Sequence, residues 1–332
     1  NKASFDCDRD RRSLREEFSS TSMLKYLQVD LTTINPTSIP LIKDILIAIK
    51  SLSYLKSLEI TLPNAGHIAK ECYYLVGVAL SGLKRLKKLS IIFNVNDVLS
   101  DLTVKEIFAS FRCISFVEEI EIIFKWSWWI TDRRLKYIAH GLSALKNPKL
   151  LKLDLSGCKQ ITDKGIQSFS RYIRNSTCLE SLSVNLWYLK ECSSQSLEYL
   201  KQGIERYESI KTLALDLSHC KKIDDAGLEY LGDALLKLKF LKNFSLDLSF
   251  CEDITVYGVE ALAKGIKELL SLETFEFKSA SIRDDEFCSL IEAVKSLENV
   301  RDLDLNLSYN YFIENSGLLC LSETLERLTQ LR

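Results

Sequence analysis

A single period governs this sequence. Leu27, Leu58, Leu89, Ile120, Leu151, Leu182, Leu213, Phe244 and Phe275 follow one another at 31-residue steps, and Leu303 and Leu331 extend the column at steps of 28. Two residues after each comes a second apolar column, from Val29 and Ile60 through to Leu246, Phe277 and Leu305. A third column follows two residues later, from Leu31 and Leu62 through to Leu248, with Ser279 as its exception. Strict alternation is the pattern of a strand with one buried face. A strand of that length cannot bury its face alone. Only neighbouring copies can cover it, so the chain has to stack repeats.

The rest of each unit has helical spacing. Asp225–Leu238 sets Leu228, Leu231, Leu235 and Leu238 on one side at steps of three and four. Asp163, Asp225 and Asp284 fall at helix starts, where a carboxylate accepts bonds from free amides and complements the helix dipole. Gly165, Gly227, Gly258 and Gly317 recur just inside, where a helix would pack closely on the strand layer. The expected fold is an α/β solenoid of about ten repeats, with parallel strands on a concave face and helices on a convex one. The chain's 332 residues would suggest several globular domains. A repeat chain lengthens by stacking instead, so 1–332 is read as one solenoid. Residues 1–23 form a partial leading repeat, with Ser4–Ser20 where a helix belongs, and 328–332 start a further one. Neither end has a polar cap, which implies a segment of a longer protein or ends covered by partners.

The segments LDLSGCKQITDKGI (153–166), LDLSHCKKIDDAGL (215–228) and LDLSFCEDITVYGV (246–259) resemble the leucine-rich-repeat consensus, of the ribonuclease-inhibitor-like and cysteine-containing types. They are also similar to the long repeat arrays of ciliates and other protists. The resemblance implies a buried ladder in which Cys158, Cys220, Cys251 and Asn310 tie down the loop backbone. Pro148 departs from the apolar pattern, and the early repeats lack the ladder. The scaffold serves many roles, so the likeness fixes fold and not function.

Chemistry is hard to find. Forty-four basic residues against 45 acidic give no global attraction to nucleic acid or to an anionic membrane, and no apolar run is long enough to span a bilayer. The ten cysteines form no CxxC pair and have no zinc spacing, which favours a reducing, cytoplasmic setting. His67 and His140 map to helices and His219 to a strand-end loop, so no catalytic triad, metal site or cofactor is expected. Asn175, Asn243 and Asn306 begin formal glycosylation sequons, read as accidental.

The candidate surface is therefore one for binding. The exposed middle column of the strands includes Asp154, Asp216 and Asp247, close enough to favour a basic partner or a cation, or else plain solvated carboxylates. Ile92 and Ile123 in the same column would add an apolar patch. Where strands turn toward helices stand Trp126, Trp128, Trp129, Trp187 and Tyr188, continued by His219, Phe250, Tyr309 and Tyr311. Large amphipathic aromatics on one rim are typical hot-spot material. Lys84, Arg85, Lys87, Lys88, Arg133 and Arg134 read as a solvated helical face, and without a continuous basic stripe nucleic acid is not the expected partner. The expectation is a non-enzymatic protein-interaction scaffold, a structural subunit of a larger assembly in a cytoskeletal or ciliary setting. The alternatives are substrate recognition for a ubiquitin ligase, or regulation of an enzyme such as a small GTPase.

Overall fold

The computed structural model describes residues 2–5, 23–32, 39–62, 70–93, 99–176, 178–207, 209–280 and 282–332. They divide into two compact units, Asn1–Cys158 and Lys159–Arg332. The first contains β1 (Lys2–Phe5), β2 (Tyr26–Asp30), α1 (Ile39–Ser51), β3 (Ser57–Leu62), α2 (Lys70–Ser81), β4 (Lys88–Phe93), α3 (Asp101–Ala109), β5 (Glu119–Ile123), α4 (Asp132–Leu142) and β6 (Leu150–Asp154). The second contains α5 (Asp163–Asn175), β7 (Ser181–Asn185), α6 (Ser194–Ile204), β8 (Thr212–Asp216), α7 (Asp225–Leu235), β9 (Asn243–Asp247), α8 (Val256–Lys267), β10 (Thr274–Lys278), α9 (Asp284–Val294), β11 (Asp302–Asn306) and α10 (Asn315–Arg327).

Within each unit the strands pair in parallel and in chain order, and the predicted column is the observed register. Leu27 lies opposite Leu58 and Leu89 opposite Ile120; Leu182 lies opposite Leu213, and Phe244 opposite Phe275, which faces Leu303. Each unit is an α/β stack of repeats in which a strand is followed by a helix and the next strand pairs in parallel. From β2 to β10 the column residues are buried, with partly exposed neighbours in β8 and β9, whereas Leu303 and Leu305 of β11 are themselves partly exposed. Each buried leucine contributes roughly 1.5–3 kcal/mol relative to exposure.

Three expectations change. Ser4 lies in β1 and not in a helix: β1 pairs with β2, Lys2 opposite Tyr26 and Phe5 opposite Val29, because the first residues already alternate as a strand does. The remainder of 6–20 lies outside the described residues, as does His67. The helix predicted to run to Leu238 ends at Leu235, because the chain tightens into three-residue turns. The Leu238 amide donates to the Leu235 carbonyl and that of Leu241 to Leu238. This step of three keeps every third side chain pointing inward until the strand begins. The same rule moves Leu331: the Arg332 amide donates to the Arg301 carbonyl, as Lys242 does to Lys211. Leu331 therefore stands where Leu241 stands, three residues before the strand column and not in it.

The helix-start carboxylates hold neighbouring repeats together. Asp163 accepts the Ser193 amide at 2.8 Å and its hydroxyl at 2.7 Å, and Asp225 does the same for Thr255 at 2.7 and 2.6 Å. The caps of the same helices are the preceding residues, Thr162 and Asp224. At Asp225 the glycine just inside the next helix leaves room for this bond, whereas Ser196, in the same place over Asp163, donates its hydroxyl to that carboxylate at 2.5 Å. A β-carbon on Gly258 would stand 2.4 Å from the Asp225 carboxylate, so these glycines accommodate the previous helix start and not the strand layer.

Candidate functional site

The strand-to-helix loops are built to one plan. Where the residue closing the strand is Asp or Asn, its side chain accepts the amide two residues on: Asp154 from Ser156 (2.8 Å), Asn185 from Trp187 (2.8 Å), Asp216 from Ser218 (3.1 Å) and Asp247 from Ser249 (2.9 Å); Ile123 and Lys278 close β5 and β10 without such a side chain. These are Asx turns, which reverse the chain cheaply. Asp154, Asp216 and Asp247 are thereby engaged with their own loops. Asp216 and Asp247 lie opposite each other across the β8–β9 pair, each turned to its own backbone. Among the described residues, no grouping of three or more His, Cys, Asp or Glu could hold a metal ion.

The next residue but one after that turn is buried. Cys158, Cys220 and Cys251 point their thiols at the carbonyls of Phe124, Leu186 and Leu217, at 3.1, 3.1 and 3.2 Å. Burial pushes the Cys220 thiol up to about 12 and those of Cys158 and Cys251 well above the usual thiol range. Asn310 takes the same place with two bonds, donating to the Ser279 carbonyl and accepting the Ile282 amide at 2.8 Å.

Between the turn and the buried residue sits one position in the left-handed region. It is occupied by Trp126 (φ 60°), Gly157 (71°), Tyr188 (61°), His219 (60°), Phe250 (61°) and Tyr309 (66°). Its amide binds the neighbouring loop, Tyr188 to Ser218 and His219 to Ser249. The backbone is fixed there and the side chain is thrown outward. Glycine adopts this conformation freely, whereas a residue with a β-carbon is strained.

In the second unit the rings at this position form a row. His219 stacks on Phe250 with centroids 4.3 Å apart, and Trp187 and Tyr188 meet His219 edge-on at 5.8 and 6.0 Å. Trp187 and Tyr188 touch each other at 5.6 Å. Lys190 and Lys159 place their ammonium groups 4.8 and 5.4 Å from the Tyr188 ring centre. The Lys190 ammonium, hydrogen-bonded to the phenol, holds Tyr188 below the usual tyrosine range, and Lys159 and Lys221 add to the effect.

The row does not run on to Tyr309 and Tyr311 as the sequence suggested. The repeat starting at Phe275 loses its three residues in this loop: α9 starts nine residues after Phe275, against twelve from Leu213 to α7. Among the described residues no left-handed ring residue stands between Phe250 and Tyr309, and Tyr309 and Tyr311 are exposed.

The first unit uses its aromatics differently. Trp126 and Trp128 are each 46% exposed, and the Trp126 ring covers Gly157, whose β-carbon would come within 2.5 Å of it. Trp129 is only 1% exposed and meets Phe124 and Phe93 edge-on at 5.9 and 6.4 Å. It belongs to the core and not to the surface, because these phenylalanines leave an apolar space facing the loop. Ile92 and Ile123 are half-exposed. The basic residues of this unit are partly spoken for: Lys87 and Lys88 flank the start of β4 and pair with Glu118 and Glu119, and Arg133 and Arg134 share Asp101. His140 lies in α4 as expected.

Sequence reasoning did not single out Lys159 and Lys190. The signal was present: Lys159, Lys190, Lys221 and Glu252 occupy one 31-residue column, eight residues after Leu151, Leu182, Leu213 and Phe244.

A family model described as Leucine Rich repeat matches residues 146–170, 213–232 and 245–263. Among solved structures, the chain is similar to the yeast Rad7 and Elc1 complex, with a TM-score of 0.52 at 16% identity over 91% of this chain and 75% of that one. Weaker likenesses are to the TLR13–ssRNA13 complex (TM-score 0.44, 13% identity, 93% of this chain and 38% of that) and to the tropomodulin C-terminal domain of Caenorhabditis elegans (0.36, 17%, 49% and 92%). No curated protein matches the chain. Among the described residues no helix is long and apolar enough to cross a membrane.

Proposed function

We propose, from the premise that this chain is a leucine-rich-repeat protein, that it is a protein-interaction module whose contact surface is the row Trp187, Tyr188, His219 and Phe250. The observation that carries this is the left-handed position. Three successive repeats put Tyr, His and Phe where glycine would fit without cost, at a penalty of about 1–2 kcal/mol each. Strain of this kind persists where the surrounding hydrogen bonds over-determine it, and it clusters at functional positions. None of these rings is a fully buried core residue; each stays partly exposed and packs on its neighbours in the row. They supply rigid amphipathic area held by ring-to-ring contacts, the composition of interface anchors. Rad7, alike in fold, was solved in complex with Elc1, which fits an interaction role for the scaffold. A structural subunit of a cytoplasmic assembly, cytoskeletal or ciliary, is the setting we favour.

The test is quantitative affinity capture from native extract with the intact protein and its Trp187→Ala/Phe250→Ala variant. Recovery of specific partners should fall by about tenfold or more, as loss of interface anchors predicts. The unfolding midpoint should move by no more than a few degrees. Equal recovery by both proteins would overturn the assignment.

A further inference from the structure

We infer that the aromatic row takes an acidic peptide segment, with its carboxylates seated at Lys159 and Lys190 and its apolar side chains on the rings; this rests on the row being the protein-binding surface. Two ammonium groups share the Tyr188 ring, at 4.8 and 5.4 Å from its centre. Both lysines are exposed, and among the described residues neither forms an ion pair. The neighbouring lysines do: Lys221 binds Glu252 at 2.9 Å and Lys222 binds Glu191 at 2.6 Å.

The strand-end residue removes another source of negative charge. It is Asp at 154, 216 and 247, but Asn185 in the repeat that carries Trp187, Tyr188 and Lys190. Two like charges held on one ring repel each other, and the ring face offsets only part of that. A carboxylate between them relieves the repulsion. Charge also gives the row a direction. The lysine column ends at Glu252, so the basic end is at Tyr188 and the apolar end at Phe250. An acidic stretch followed by apolar residues matches that order. A nucleic-acid strand does not, because its phosphates would next meet Glu252 and Asp253, and backbone binding needs a continuous basic track.

The experiment is fluorescence anisotropy of the intact protein with short labelled peptides that share the same leucine and phenylalanine residues on an acidic, basic or uncharged background. A labelled oligouridylate serves as the nucleic-acid probe. The acidic peptide should bind best and weaken steeply with added salt. Lys159→Glu/Lys190→Glu should lower its affinity about tenfold or more and shift the preference to the basic peptide. Trp187→Ala/Phe250→Ala should abolish binding of either. If the uncharged peptide binds as well as the acidic one, through the rings and unaffected by the lysine reversal, the acidic partner is overturned and the aromatic site stands. If no peptide binds, or binding survives both double variants, both fall. Oligouridylate binding as tightly, with the same dependence on lysines and rings, would overturn the peptide in favour of nucleic acid.

Discussion

The Trp126–Trp129 loop of the first unit and the Trp187–Phe250 row of the second start from the same backbone device. Each follows a strand, and each throws a bulky ring outward from a left-handed residue. Their rings then serve different ends. In the first loop Trp129 is withdrawn into a phenylalanine cluster and Trp126 lies over Gly157, while Trp126 and Trp128 keep 46% exposure within that one loop. In the second, every left-handed position of three successive repeats carries a ring, the rings contact one another, and two lysines that form no ion pair among the described residues stand at one end. Aromatic content alone therefore does not mark a binding surface. Rings in a position that costs stability, in contact with one another across successive repeats and beside two ammonium groups, are a stronger mark.

Substitutions should separate the two loops. Trp129→Ala should destabilise the first unit by about 3–5 kcal/mol, the cost of emptying a buried aromatic site. Trp187→Ala should leave the unfolding midpoint nearly unchanged, and a comparably large loss would move Trp187 into the core and erase the distinction. Gly157→Ala should cost about 1–3 kcal/mol, through left-handed strain and displacement of the Trp126 ring, with a change in tryptophan fluorescence as the direct readout. Tyr309→Gly should do the opposite. It relieves strain at a ring 70% exposed and should stabilise by about 1 kcal/mol in denaturant unfolding. The smallest effect concerns the helix-start ladder. Asp284 is held below the usual carboxylate range by the Ser316 hydroxyl and by the amides of Glu314 and Gly317. Its contribution is complete above the ordinary carboxylate range and is lost as pH falls through the depressed folded value. The difference in unfolding midpoint between the wild type and Asp284→Asn should therefore shrink on acidification, and a constant difference would show that the bonds do not depend on ionisation.

Much of the fold was legible because its cause is periodic. Burial of one strand face forces Leu182, Leu213 and Phe244 into a fixed spacing, and the buried cysteines repeat with them. Legibility failed where a single loop departs from the period. The sequence groups Trp129 with the rim rings, because its burial depends on Phe93 and Phe124, which reach it only after folding. Leu331 was placed in the strand column because a step of 28 had just occurred at Leu303, whereas the backbone sets it three residues earlier. The row was partly legible: its rings stood out, but their left-handed backbone did not. Lys159 and Lys190 passed unnoticed because lysine is ordinary on a surface. What sets them apart is that both ammonium groups lie against the one Tyr188 ring.

The most direct test of the account is site-specific photo-crosslinking in native extract. A photoreactive phenylalanine analogue would replace Trp187 in one protein and Tyr257, exposed on α8, in another. The account predicts that a discrete partner protein is captured from position 187, is lost when Lys159 and Lys190 are reversed to Glu, and is not captured from 257. Capture from 257 alone, or equal capture from both, would contradict it.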